Sequence, residues 1–331
     1  MPDPHQLTRL LRGVHPPLLR RVHPPLLRRI HPPLVPAALA LSLAGCAAAT
    51  ALPAAPGRII AVGAESQYAN VISQIGGRYV AVSAIERNPN TDPHAYEISP
   101  SVARLIAAAR LVVQNGLGYD PFMNRLEAAS PNRARRVIVV QRLLGLPDST
   151  PNPHLWYAPA TMPALARALT TQLSALAPRH AAYFAANEHH FDASLNAWRG
   201  ALARFAAHHP HTPVAVTEPV GDYLLQAAGM RILTPFGLQA DIMNGIDPAP
   251  QYVALQDALL TRHRVRALVY NQQVTDTVTQ SFLATAHRSG VPVVGVYETM
   301  PAGYDYQGWM LAETRALERA VVAGASTQRL P

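Results

Sequence analysis

No lysine occurs in this chain of 331 residues, and Cys46 is its single cysteine. Without lysine there is no Schiff-base nucleophile and no P-loop cation to hold a nucleotide phosphate. With one cysteine, neither an intramolecular disulfide nor a cysteine-built zinc cluster can form. Charge is scarce as well, at 15% of residues, and aromatics make up 6%. The net charge of +8 sits largely at the start, where residues 1–45 hold six arginines against Asp3 alone. The remaining residues carry about +3, with no basic stripe interleaved with aromatics, so no nucleic-acid partner is expected. What is plentiful is apolar: 49% of residues, at a mean hydropathy of +0.05. That is the balance of a globular chain, long enough for two domains.

The first 45 residues read as a leader. An eight-residue unit, His15-Pro16-Pro17-Leu18-Leu19-Arg20-Arg21-Val22, recurs ending at Ile30 and begins a third time at His31-Pro32-Pro33-Leu34. Paired prolines at this interval forbid a continuous helix, and nothing here can bury a core. The apolar run from Leu34 to Gly45 behind the arginines has the form of a secretory signal, too short for a membrane span. Leu43-Ala44-Gly45-Cys46 resembles a bacterial lipobox, which implies cleavage before Cys46, acylation of its thiol and a lipid anchor in the periplasm or cell envelope. Residues 46–57, small and Pro-containing, would then be a tether.

From Arg58 strands alternate with helices. Ile59–Val62, Tyr79–Val82, Leu111–Val113 and Val137–Val140 are short apolar runs, separated by helical spacing over Tyr68–Ile75 and Ser99–Ala109. This alternation predicts a parallel sheet covered on both faces. A second lobe of the same kind follows, with strands at Val214–Val216, Ala267–Tyr270 and Val291–Val296 and helices at Val253–Leu260, Thr277–Ser289 and Gln307–Val322. Between the lobes, Thr161 to about Ala207 has helical spacing, with a break or kink expected at Pro178. Forty such residues would reach about 60 Å. The expected class is α/β, with two mostly parallel four-stranded lobes at residues 58–160 and 209–331 joined by a long backbone helix across 161–208.

Two Pro-His turns stand out, Asn90-Thr91-Asp92-Pro93-His94 and Asn152-Pro153-His154, each after a strand. Proline stiffens the turn and presents the imidazole in a reproducible direction. Ligands of such sheets gather at the carboxyl ends of strands. The second lobe offers Glu218 in Val216-Thr217-Glu218-Pro219 and Glu298 in Val296-Tyr297-Glu298-Thr299 at equivalent places. His94, His154, Glu218 and Glu298 facing one another across a cleft would form a set of two imidazoles and two carboxylates suited to a divalent first-row metal. Any one of them alone has a bland reading as a surface or loop residue. Asp92 and Tyr96 are candidates to support His94. His189, His190, His208, His209 and His211 are read as ordinary helix-surface histidines.

Taken together, Asn88–Glu97, Val112–Gly118, Asn152–Trp156, Val216–Val220, Met243–Gly245, Tyr270–Gln272 and Glu298–Pro301 resemble, in order, the cluster A-I solute-binding proteins of zinc and manganese ABC transporters. The resemblance runs from about Arg58 to Val322. It implies two α/β lobes joined by one rigid helix, a metal bound between them, and transfer of that metal to a membrane permease, with no organic cofactor and no catalysis. His94 and His154 fall on the first two ligand positions. Glu218 falls on the third, a histidine or carboxylate, and Glu298 on the fourth, more often aspartate. The histidine-rich loop of many zinc-specific members is absent. Two carboxylates shift the set toward harder ions such as manganese, while the affinity order favours zinc, so binding of both is expected. A monomer is expected. The other readings are a metal-dependent hydrolase using the same His/Glu set and a surface adhesin of the same fold; against the hydrolase, no His-Glu-x-x-His helix or Gly-x-Ser-x-Gly elbow occurs.

Overall fold

Alternate residues of the short strands enter different cores, which is what a parallel strand buried on both faces requires. In the computed structural model, which describes residues 57–88 and 99–331, Leu111 and Val113 of one strand face a core shared by both lobes, while Val112 between them faces a separate one. The leader, Cys46 and His94 lie outside the described residues.

The first lobe is built from β1 (Ile59–Glu65), α1 (Ser66–Gly76), β2 (Val80–Glu86), α2 (Pro100–Ala108), β3 (Leu111–Gln114), α3 (Pro121–Ala129), β4 (Arg136–Val139) and a single turn, α4 (Val140–Leu143). Its sheet is parallel throughout, in the order β2-β1-β3-β4. Ser99 caps α2 by accepting from the Val102 amide, with Pro100 in the first turn, where its missing N–H costs nothing. α1 ends at Gly77, whose φ of +49° and contact with Tyr183 leave no room for a side chain.

The connection is made of α5 (Thr161–Leu176), α6 (Ala181–Ser194) and α7 (Asn196–His208). The expected break is present: Pro178 opens a 3-10 turn to His180, and α5 and α6 then pack against each other. α6 and α7 run on through a hitch at Leu195, bridged by the Arg199 amide to Leu195 O (2.9 Å) and by an Arg199–Asp192 ion pair (2.6 Å). Proline therefore shortens the long helix to α6–α7, roughly 40 Å at 1.5 Å per residue.

The second lobe contains β5 (Pro213–Val216), α8 (Asp222–Ala227), β6 (Arg231–Ile232), α9 (Phe236–Met243), α10 (Pro250–Thr261), β7 (Leu268–Asn271), α11 (Thr277–Arg288), β8 (Val293–Val296) and α12 (Tyr306–Ala323). Its sheet is again parallel, ordered β6-β5-β7-β8. An Asp276–Thr279 capping box starts α11, and Asp305 caps α12 through the Gly308 amide. Both sheets pack one face into a common core that includes Trp156, Trp198, Trp309, Tyr157 and Tyr306, all buried. Their outer faces are covered separately, by α2 and α3 on the first sheet and by α9, α10 and α11 on the second. In each sheet the strand order reverses beside its second strand, β1 against β3 and β5 against β7, and the carboxyl ends at that reversal are where an open α/β sheet leaves a crevice. Among the described residues no helix is long and apolar enough to cross a membrane.

Candidate metal centre

His154 is placed by its own turn. Asn152 Oδ1 accepts from the His154 amide (3.0 Å) and lies 2.8 Å from Nδ1 of the ring. Because the Asn152 amide nitrogen donates to Pro219 O (2.8 Å), its oxygen is the acceptor for the ring. The proton is thereby assigned to Nδ1, and Nε2 carries the lone pair. Asn115, just after β3, donates to Pro153 O (2.8 Å) and fixes the turn from behind. Tyr119 and Trp156 meet the imidazole edge-on, with ring centroids 5.8 and 5.4 Å away. The ring is fully buried.

Glu218 and Glu298 come from the crevice end of the second sheet. Glu218 follows β5 after Thr217, whose amide donates to Val269 O, and Glu298 follows β8. Gln273 Oε1 accepts from both the Glu298 and Thr299 amides (2.7 and 2.8 Å), while Gln67 of α1 donates to Glu298 O (3.1 Å). The Glu298 carboxylate accepts from Asn271 Nδ2 at Oε1 (2.7 Å) and from the Tyr119 hydroxyl at Oε2 (3.0 Å). Oε2 is also 3.4 Å from His154 Nε2. Both Glu218 oxygens stand 3.3 Å from the same Asn271 nitrogen. That amide reaches both carboxylates, which would otherwise repel each other out of water.

The described residues therefore bring His154 and Glu298 into contact and join Glu218 to Glu298 through Asn271. His94, the fourth expected member, is outside them. Among the described residues no three His, Cys, Asp or Glu side chains stand as a group that could hold an ion. Asn271, Tyr119 and Gln273 have no role that the sequence alone assigns. Asn271 lies within Tyr270–Gln272, where a polar residue closing a buried strand is the signal available. His189, His190, His208 and His211 are exposed and His209 half-buried, away from this crevice.

Behind Tyr119 lies a second group of buried carboxylates: Glu65 at the end of β1, Glu86 at the end of β2, and Asp120. Asp120 accepts from the Asn115 and Gly116 amides (2.6 and 3.0 Å). Burial, then the neighbouring Asp120 and Glu86, holds the Glu65 carboxyl well above its usual range. Burial also raises Asp120, against the two amides that favour its ionised form.

Residues 62–320 match the family model described as zinc-uptake complex component A, periplasmic (ZnuA). The chain is similar to the manganese-binding lipoprotein MntA of Bacillus subtilis, at 23% identity over 257 residues, which is 75% of this chain and 82% of that protein. Solved structures share the fold, FpvC and TroA among them. FpvC of Pseudomonas aeruginosa in complex with Mn2+ has a TM-score of 0.66 at 22% identity, covering 81% of this chain and all of that one. The periplasmic zinc-binding protein TroA of Treponema pallidum has a TM-score of 0.67 at 17% identity, with the same coverage.

Proposed function

We infer the function from one premise: this chain belongs to the family of the periplasmic zinc-uptake complex component A. It is a metal-binding, extracytoplasmic substrate-binding component of a transporter and not an enzyme. Beyond that, we propose that it captures one divalent transition-metal ion between its lobes and delivers it to an ABC-type permease. The lobes in this reading are residues 58–160 and 209–331, with 161–208 between them.

The ligands we propose are His94, His154, Glu218 and Glu298. The observation that carries the proposal is the approach of His154 Nε2 to Glu298 Oε2 between elements of different lobes. Both atoms are electron-pair donors, given the tautomer that Asn152 imposes. Two such atoms face each other stably only around a proton or a metal cation. Four protein ligands would close the coordination sphere, as a carrier requires and a hydrolytic site does not. For one such site zinc binds more tightly than manganese. We therefore expect both to bind, with zinc the tighter in vitro. Acylation of Cys46 would tether the protein, as a monomer, to the membrane that holds its permease.

The test is competition between chelator-stripped protein and a metal-sensing chelator, run separately with Zn2+ and Mn2+. The expected result is one ion per chain with sub-micromolar affinity for zinc. Failure to bind either ion would sink the reading.

A further inference from the structure

Glu313 is a carboxylate with no place in the candidate centre, yet it is wholly buried on α12. Its Oε1 accepts from Trp309 Nε1 (2.6 Å) and from the Tyr157 hydroxyl (2.9 Å), while Oε2 has no hydrogen-bond partner among the described residues. A carboxylate kept from water without a cation is costly, so an apolar residue of that volume would be the cheaper filler. The partner it engages explains its presence. Tyr157 lies three residues after His154, in the 3-10 turn Leu155–Tyr157. Its hydroxyl also stands 2.9 Å from Tyr297 O and accepts from the Tyr297 amide (3.2 Å). Tyr297 precedes Glu298.

We propose that Glu313 is a positioning residue that sets the spacing of the His154 and Glu298 segments through the single hydrogen of the Tyr157 hydroxyl; this rests on the metal-carrier reading above. That hydrogen has two acceptors at equal distance, Glu313 Oε1 and Tyr297 O. An ionised Glu313 takes it, because a hydrogen bond to a charged acceptor is roughly twice as strong as a neutral one. A neutral Glu313 leaves it to Tyr297 O, and Tyr157 then grips the backbone of Tyr297 by both its N–H and its C=O. The next amide, Glu298 N, is already held by Gln273. The charge on Glu313 thus decides whether the backbone at Glu298 is clamped from one side or two. Metal–ligand bonds tolerate about 0.2 Å of misplacement, so this slack is felt in affinity.

The ionisable groups on which Glu313 acts are Tyr157 from the 3-10 turn, Tyr297 from the loop after β8 and Tyr306 from its own helix, with Arg199 of α7 opposing it at Tyr306. All three tyrosines are raised by burial, so Glu313 titrates first, its carboxyl pushed up to about 8 by burial against the hydrogen bonds from Tyr157 and Trp309.

The experiment compares wild type with Glu313→Gln and Tyr157→Phe in Zn2+ competition titrations from pH 6.5 to 9.5. Gln holds the neutral state at every pH and keeps an acceptor for Trp309. The ratio of dissociation constants, wild type over E313Q, is expected to rise about three- to tenfold between pH 7 and pH 9. Tyr157→Phe is expected to abolish that pH-dependent rise, and its isosteric ring keeps the test open if E313Q fails to fold. A second readout needs no metal: emission of the tryptophans in stripped wild-type protein should titrate near pH 8 and should not in E313Q. A flat ratio with zinc-binding wild type, or a Tyr157→Phe profile that follows wild type, overturns the inference alone. No zinc binding by wild type at any pH overturns it together with the carrier reading.

Discussion

Nε2 of His154 lies 3.4 Å from Oε2 of Glu298, 144 residues away in sequence, and both side chains are fully buried. Each end of the contact is over-determined. Asn152 and Asn115 fix the histidine turn, and Gln273, Gln67, Asn271 and Tyr119 fix the glutamate. A pair held this firmly has been preorganised, and preorganisation is what makes a ligand set tight.

Replacing Glu298 by Gln keeps the shape and removes the charge. If the pair is half of a metal site, Glu298→Gln and His154→Ala each weaken Zn2+ affinity by about 100-fold or more. In wild type, affinity also falls on acidification, since an imidazole must be neutral to bind. Chelator competition measures all three effects. Wild-type affinity in either variant would remove that residue from the ligand set.

Asn271 predicts a different signature. Its amide is a donor shared by Glu218 and Glu298. Asn271→Leu leaves two buried carboxylates without it, at a cost of about 1–3 kcal/mol to the metal-free protein. A bound divalent ion would neutralise the same repulsion. Thermal melts should show a large loss in stripped protein and a smaller one with saturating Zn2+. An equal loss in both states would mean that Asn271 merely fills space.

Gly295 in β8 makes room for the chain's last residues. Thr327 bonds to β8 at both its N–H and its C=O, and a Cβ on Gly295 would collide with the Gln328 carbonyl. Gly295→Ala should peel this segment from the strand edge and cost about 1–3 kcal/mol by overpacking. Urea denaturation gives the loss, and hydrogen exchange at the Thr327 amide should speed up. Unchanged protection there would show that the segment moves aside as a unit without detaching.

How legible these features are depends on whether one residue or a pattern carries them. Val112 and Val269 sit in apolar runs bounded by breakers, so their strands are readable from sequence, as is the break at Pro178. β6 is two residues, Arg231 and Ile232, and carries no pattern at all. α9 is obscured by Pro235 before it and Gly237 within it. At the site, Pro153 and Pro219 mark out His154 and Glu218. Tyr119 and Asn271 have no such flag. Tyr119 matters only because folding brings its hydroxyl to Glu298 from 179 residues away, and a single phenol or amide leaves no periodicity to find.

Asp222 gives a prediction in which pH alone supplies the control. It opens α8, is 5% exposed, and its Oδ1 has no hydrogen-bond partner among the described residues. Burial pushes its carboxyl up to about 7 from 3.8. The folded state therefore keeps a proton that the unfolded chain releases near pH 4. Stability from this group is intact below pH 4, falls as pH rises toward 7, and stays low above it, by about 2–4 kcal/mol at most. Asp222→Asn removes the charge while keeping the shape. The variant should be more stable than wild type at pH 8, with the difference closing by pH 4, in denaturation curves taken at each pH. A difference that did not change with pH would show that Asp222 is ionised in the folded protein throughout, and that water reaches it where the packing implies none.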